Sequence, residues 1–502
     1  MAPRYFEWTT LLGGYLPEIA KNQLYNMGKS IIEGEYGMAI QADLLTGVVQ
    51  KVLEELMGLE KADAKGSTGI HDTVDSAVCC AVTAQRQLLS MPLTVRDKMI
   101  AAIRKTALDN NEKMSEMAVQ ESKLGRYEDK VRENILCATK TPGTEDIQPQ
   151  AKSGDDGLML LEYAPVGVIG ALTPITNPTG TLIHNSISMI AAGNAVVFNP
   201  HPSAARTSTR MIELLHTAIV EAGGPPNLIN GIRNPTLDSA REIIEHPNIN
   251  MLVATGGRPV VKAVLSSGKK AIGAGAGNPP VLVDETAHIR KAAECIVNGA
   301  SINNNIFCTC EKEVIVVEEV ADSLIKFMQE TGKVRLLSPE EAKKITKLVV
   351  NEKGKINAKY IGKDVQVILK EIGIEVNDSC RLAIFEAPKD HPLVWLEQMM
   401  PVMPIVRVKD VEEGIRFGVE VEQGNRHTAI MHSTNVDNMT AFARAVQTTI
   451  FVKNGPAYAG IGLGGEGHTA FTIAGPTGEG MTSARTFTRQ RRCTLVEGFR
   501  II

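Results

Sequence analysis

A cysteine that does chemistry must reach the thiolate form, which requires a polar or electropositive, partly open setting. Of the eight cysteines in this 502-residue chain, Cys308 fits that description best. It lies in SINNNIFCTCEKEVIVV, flanked by Asn303, Asn304, Asn305 and Lys312, just before a β-branched run. The competing reading is a buried structural cysteine, a small hydrophobe. Cys308-Thr309-Cys310 has no second Cys/His pair nearby at zinc spacing, so no metal site is read from it. Asn177, in TPITNP, follows a strand end, where ligands gather in parallel sheets. Its amide could donate to a developing oxyanion, or it could form an Asx-turn before Pro178. In MLVATGG a strand runs into Thr255, Gly256 and Gly257 and then a helix over 260–265. That order points free N–H groups at an anion, although a plain structural turn reads the same way. The glycine stretches at 273–277 and 460–465 are followed by strand-like sequence rather than by a helix. Both are rejected as dinucleotide fingerprints and expected to mark close backbone approach or a loop near a ligand.

The elements that must position these residues follow from hydrophobic rhythm. From 158 onward, short apolar runs alternate with helical stretches, which argues βαβ units and parallel sheets. Strands are expected at 166–172, 195–198, 227–231 and 251–255, with helices at 183–192, 204–222 and 237–245. A second series is expected at 281–284, 313–317, 382–385, 404–408, 428–432 and 449–452. Two α/β domains in succession result. Segments 71–89, 95–122 and 128–140 read as three helices with charged outer faces. The stretches 158–165 and 484–502 alternate enough to be strands.

Composition narrows the function classes. Lys+Arg number 53 against 57 Asp+Glu, a net charge of −4 without blocks, which argues against a nucleic-acid surface or a polybasic membrane patch. Aromatics at 4% disfavour a base-stacking single-strand binder. No apolar run is long enough to span a bilayer, and the first twenty residues lack a signal-peptide pattern. The sparse cysteines indicate a reducing compartment. Residues 43–59 carry Leu45, Val49, Leu53 and Leu56 at helical spacing, and a small polar linker, EKADAKGSTG, follows. The stripe needs a partner: either its own domain, or another protein for which it is a detachable interaction peptide.

From about residue 44 to 502 the chain resembles the aldehyde dehydrogenase superfamily. More narrowly, it resembles the CoA-acylating propionaldehyde/acetaldehyde dehydrogenases of bacterial microcompartments. The stretches TPITNPTGTLIHNSISMIAAGNAVVFNPHP, GKKAIGAGAGNPPVLVDETA, NNNIFCTCEKEVIVVE, EQMMPVMPIV, HTAIMHS and VKNGPAYAGIGLGGEGHTAFTIAGPTGEGMTSARTF carry the likeness. It implies an α/β fold with a Rossmann-type NAD-binding domain (66–145 and 166–275) and an α/β catalytic domain (276–483). It adds a β oligomerisation arm (146–165 and 484–502) and an N-terminal extension (1–65) whose helix docks on shell or cargo proteins.

Residue by residue, the resemblance implies that Cys308 is the nucleophile and Asn177 the oxyanion-hole asparagine. Thr255, Gly256 and Gly257 would meet the cofactor pyrophosphate, and Glu397 the nicotinamide ribose. Pro174 and Asn199 would belong to the cofactor site. Asn199 stands where many relatives have a lysine, which leans towards NAD over NADP. The glutamate with which hydrolytic relatives activate water is replaced by Ala274. Loss of a positioned base, worth about 10²–10⁴-fold, leaves a thioester waiting for a better nucleophile such as the thiol of CoA. The implied activity is oxidation of a short aldehyde with NAD and CoA to acyl-CoA, by a homo-oligomer in the lumen of a cytoplasmic microcompartment. A hydrolytic aldehyde dehydrogenase and a non-catalytic cargo scaffold remain the alternatives. The acylation base is unassigned, and Phe307 is expected beside the acyl group.

Overall fold

The computed structural model describes residues 68–501. The amphipathic stretch 43–59 and the extension to 65 lie outside them. Two parallel sheets, a three-stranded antiparallel sheet and a short two-stranded one organise the described residues.

The first sheet has the strand order Ile70–His71, Ile229–Ile232, Ala195–Pro200, Val168–Thr173, Met251–Thr255, Lys270–Ala274. All its pairings are parallel. The strands Val168–Thr173 and Ala195–Pro200 are buried throughout, as expected of parallel strands covered on both faces. The chain first builds outward from Val168–Thr173 on one side, then returns to lay Met251–Thr255 on its other side. This reversal opens a crevice beyond Thr173 and Thr255, where ligands of doubly wound sheets collect.

The second sheet runs Val334–Leu336, Leu382–Glu386, Val402–Val408, Glu313–Val317, Pro280–Val283, Thr428–His432, Ile450–Lys453, again all parallel. In the third, Gly157–Pro165 pairs antiparallel with Gln150–Gly154 on one side and Thr488–Val496 on the other.

The helix Pro178–Ala191 is buried at every position, so its sequence is apolar or small almost all round, and the larger polar residues His184 and Asn185 are hydrogen-bonded. The helix Ala205–Glu221 buries a single stripe through Met211, Ile212, Leu215 and Ile219. Where one helix was expected over 95–122 there are two, Leu93–Asp109 and Asn111–Ser122. Asn110 leaves helical geometry between them, and its side-chain amide donates back to the Thr106 carbonyl. Such local bonding lets asparagine compete with the helix ladder. The edge strands Ile70–His71, Gln150–Gly154 and Val334–Leu336 were not anticipated; they are short or polar and carry little pattern. Of the strand-like HTAFTI, only Ile473–Ala474 pairs.

Candidate active site

A cavity of about 260 Å³ lies beyond the switch-point crevice. Pro174, Asn177, Thr255, Gly256, Gly257, Cys308 and Glu397 all line it, although they lie up to 223 residues apart in sequence (397 − 174). Asn199 does not. Its amide is taken up by the cap of the helix Leu237–Glu245: Oδ1 accepts from Ser239 Oγ at 2.6 Å, and Nδ2 donates to the Thr236 carbonyl at 3.4 Å. Asn199 thus anchors the start of that helix.

Cys308 follows a knot of strained backbone. Asn303, Asn304 and Asn305 have φ of 47°, 53° and 63°, a left-handed run that asparagine tolerates better than most residues. Side chains hold the knot. Asn303 Oδ1 accepts the Arg126 N–H, Asn304 Nδ2 donates to the Gly362 carbonyl, and Asn305 Nδ2 donates to the Ala300 and Glu311 carbonyls. The buried Lys312 ammonium donates to the carbonyls of Asn305 and Phe307. Strain maintained by this many contacts is typical of functional loops.

The thiol is not activated in the way its neighbours in sequence suggested. Burial pushes Cys308 up to about 12, and the Glu397 carboxylate adds to this. Lys312 and the N–H groups of Cys308 and Thr309 pull the other way. Although Cys308 itself is partly exposed to the cavity, its sulfur is enclosed on the protein side, and desolvation outweighs the ammonium.

Asn177 precedes the first residue of the helix Pro178–Ala191, yet its side chain makes no capping bond. Its Oδ1 accepts from Lys130 Nζ at 3.1 Å, so Nδ2 is the group left for a ligand. Glu397 accepts the Gly277 N–H at 3.2 Å, and burial raises its carboxyl against the pull of Lys312. Ala274, the last residue of its strand, places a methyl group on the cavity wall.

His427 was not singled out from the sequence. It lines the cavity, bonds Thr428 through Nδ1, and has no partner at Nε2. Burial, followed by Lys312, lowers it to about 4, so it is neutral at pH 7. Phe307 and Phe471 meet edge to face with centroids 5.9 Å apart on the apolar side of the cavity.

The glycines show which wall must stay open. A Cβ on Gly256 or Gly275 would meet nothing within 4 Å, and neither residue has the positive φ that demands glycine. Glycine at these positions leaves room for something outside the chain. The helix Arg258–Leu265 begins there with no side-chain cap on its N–H groups. Between it and Leu237–Glu245 lies a largely apolar slot of about 740 Å³. Among the described residues no group of three or more His, Cys, Asp or Glu is placed to hold a metal, and no helix is long and apolar enough to cross a membrane.

Cys308 and the Asn177 amide thus line one cavity at the strand ends where ligands of parallel sheets collect. The chain belongs to the aldehyde dehydrogenase family, which it matches over residues 60–486. Within that family it is 46% identical over 464 residues to the acetylating acetaldehyde dehydrogenase EutE of Salmonella typhimurium, covering 91% of this chain and 99% of the relative. The propionaldehyde dehydrogenase of Rhodopseudomonas palustris, solved with bound CoA and an acylated cysteine, superposes with a TM-score of 0.86 at 49% identity, covering 87% of this chain and all of that one. A propionaldehyde dehydrogenase from the fucose utilisation microcompartment of Clostridium phytofermentans gives 0.85 at 48% identity, covering 86% and 100%.

Proposed function

We propose that this protein is a CoA-acylating aldehyde dehydrogenase that oxidises a short aldehyde to its acyl-CoA with NAD, through a thioester on Cys308. The observation that carries the reading is the shared cavity: Cys308 and Asn177 face it together, and Ala274 offers a methyl group where a hydrolytic enzyme needs a carboxylate. Cys308 attacks the aldehyde carbon, and the Asn177 amide with the Cys308 N–H holds the resulting oxyanion. NAD, when bound, would supply the hydride acceptor that this oxidation needs, leaving the acyl group as a thioester on Cys308. Gly256, Gly257 and the start of the helix Arg258–Leu265 hold the pyrophosphate. The slot beside Leu237 and Ala240 takes the adenine, and Glu397 the ribose near the reacting carbon. His427 Nε2 takes the proton of the incoming CoA thiol as it displaces Cys308. Phe307 and Phe471 cover the acyl chain.

The three-stranded sheet extends the reading to assembly. Every residue of Thr488–Val496 after the first is exposed, including Leu495 and Val496, and this ribbon forms the contact of a homo-oligomer. Residues 43–59 dock the enzyme on a microcompartment shell or cargo protein.

The deciding measurement follows NADH, free acid and acyl-CoA from propanal with and without CoA. Sustained acyl-CoA formation that requires CoA, and that disappears in Cys308→Ala, is expected. Rapid acid release without CoA would replace this reading with the hydrolytic one.

A further inference from the structure

An asparagine amide has an acceptor side and a donor side, and only the donor side can hold an oxyanion. A residue outside the cavity determines which side Asn177 presents. Lys130, fully buried in the helix Tyr127–Lys140, donates from Nζ to Asn177 Oδ1 at 3.1 Å and also to the Thr176 carbonyl. An ammonium has donors only, so a flipped amide would set two donors against each other. Within the protein Nδ2 retains only a long 3.4 Å contact to Thr176 Oγ1.

The ammonium is itself fixed. Glu133 Oε2 accepts from it at 2.9 Å, and both side chains are buried. The carboxylate reaches this place because residue 180 is glycine; a Cβ there would come within 2.4 Å of Glu133 Oε1. One residue before Lys130, Asp129 Oδ2 accepts the Asn303 N–H at 2.8 Å. A single helical turn therefore grips the nucleophile loop through Asp129 and the oxyanion amide through Lys130.

We infer that Lys130 is a positioning residue for thioester formation: its ammonium, anchored by Glu133, aims and polarises the Asn177 amide so that Nδ2–H meets the oxyanion. The inference rests on the reading of Asn177 given above. Withdrawal of charge from Oδ1 strengthens the donor on the other side of the same amide, as in other charge-assisted chains.

The test uses the full-length enzyme and two readouts. Single-turnover NADH formation from propanal and NAD passes through an oxyanion. Alkylation of Cys308 by iodoacetamide needs the sulfur but forms no oxyanion. Asn177→Ala is expected to slow NADH formation about 10²-fold. Lys130→Met is expected to slow it by about tenfold or more while leaving alkylation and the KM for NAD within about twofold. In the Asn177→Ala background, Lys130→Met should cost nothing further; with Asn177 intact, Lys130→Gln, which keeps a donor to Oδ1, should retain part of the rate that Lys130→Met loses. A full Lys130→Met loss on top of Asn177→Ala, or an equal loss in alkylation, overturns the inference and leaves Asn177 in place. An undiminished rate in Asn177→Ala removes the asparagine's role and the lysine's with it. If Lys130→Met lacks a folded thermal transition, Lys130→Gln in the two backgrounds decides by the same criterion.

Discussion

Burial pushes the Cys308 thiol up to about 12, the neighbouring Glu397 carboxylate reinforces this, and Lys312 opposes it. At neutral pH the free enzyme therefore holds mostly thiol, and the charges around the sulfur set how much thiolate is available. Replacing Glu397 by glutamine removes one contribution that disfavours the anion. The midpoint of the pH profile for iodoacetamide alkylation of Cys308 should move to lower pH in Glu397→Gln, and an unchanged or higher midpoint would refute this assignment of the charges. The same cavity explains why the local signal around Cys308 misled. Asn303, Asn304, Asn305 and Lys312 are polar in sequence, but each is buried and, apart from the unpartnered Asn303 Nδ2, bonds the loop's own backbone or neighbouring segments. Lys312 does favour the thiolate, as its position in sequence suggests, but burial and Glu397 outweigh it.

The helix Pro178–Ala191 connects the site to the core. Midway along it His184 is wholly buried, with Nδ1 against Thr141 and Nε2 against Thr482. Desolvation, with a smaller contribution from His468, lowers it to about 3. A folded value below the unfolded value of about 6.5 means that the unfolded chain binds the extra proton, so this contribution to stability is present above pH 6.5 and is lost as pH falls towards 3. Relative to His184→Asn, the wild-type protein should lose about 1.4 kcal/mol per pH unit below about pH 6.5. Urea unfolding of both proteins at pH 7, 6 and 5.5 checks this; parallel stability curves would contradict it. Most elements of this kind were legible because burial on both faces leaves unbroken apolar runs, as in Val168–Thr173 and Glu313–Val317. The break at Asn110 was not, since a single side-chain bond to Thr106 decides it.

At the scale of the molecule, the ribbon Thr488–Val496 stands exposed beyond Gly157–Pro165, and no residue of either strand lines the cavity. Assembly and chemistry should therefore separate. Leu495→Asp with Val496→Asp is expected to lower the mass in solution by light scattering and to leave Cys308 alkylation within about twofold, because surface substitutions far from a site are nearly neutral to it. An unchanged mass would place the assembly contact elsewhere. The amino-acid sequence by itself determined the alternation of strands and helices, the two parallel sheets, and Cys308, Asn177, Thr255, Gly256 and Gly257 as residues of interest. Periodicity and turn chemistry are local, and a run of fewer than ten residues suffices to express them. Only the tertiary structure decided that Lys130 holds Asn177, that His427 offers a free nitrogen to the cavity, that Glu397 raises the Cys308 thiol, and that Asn199 is committed to a helix cap. Those four outcomes depend on side chains 40 to 89 residues apart meeting inside a desolvated interior, or on where a distant element comes to rest, and no local pattern records either.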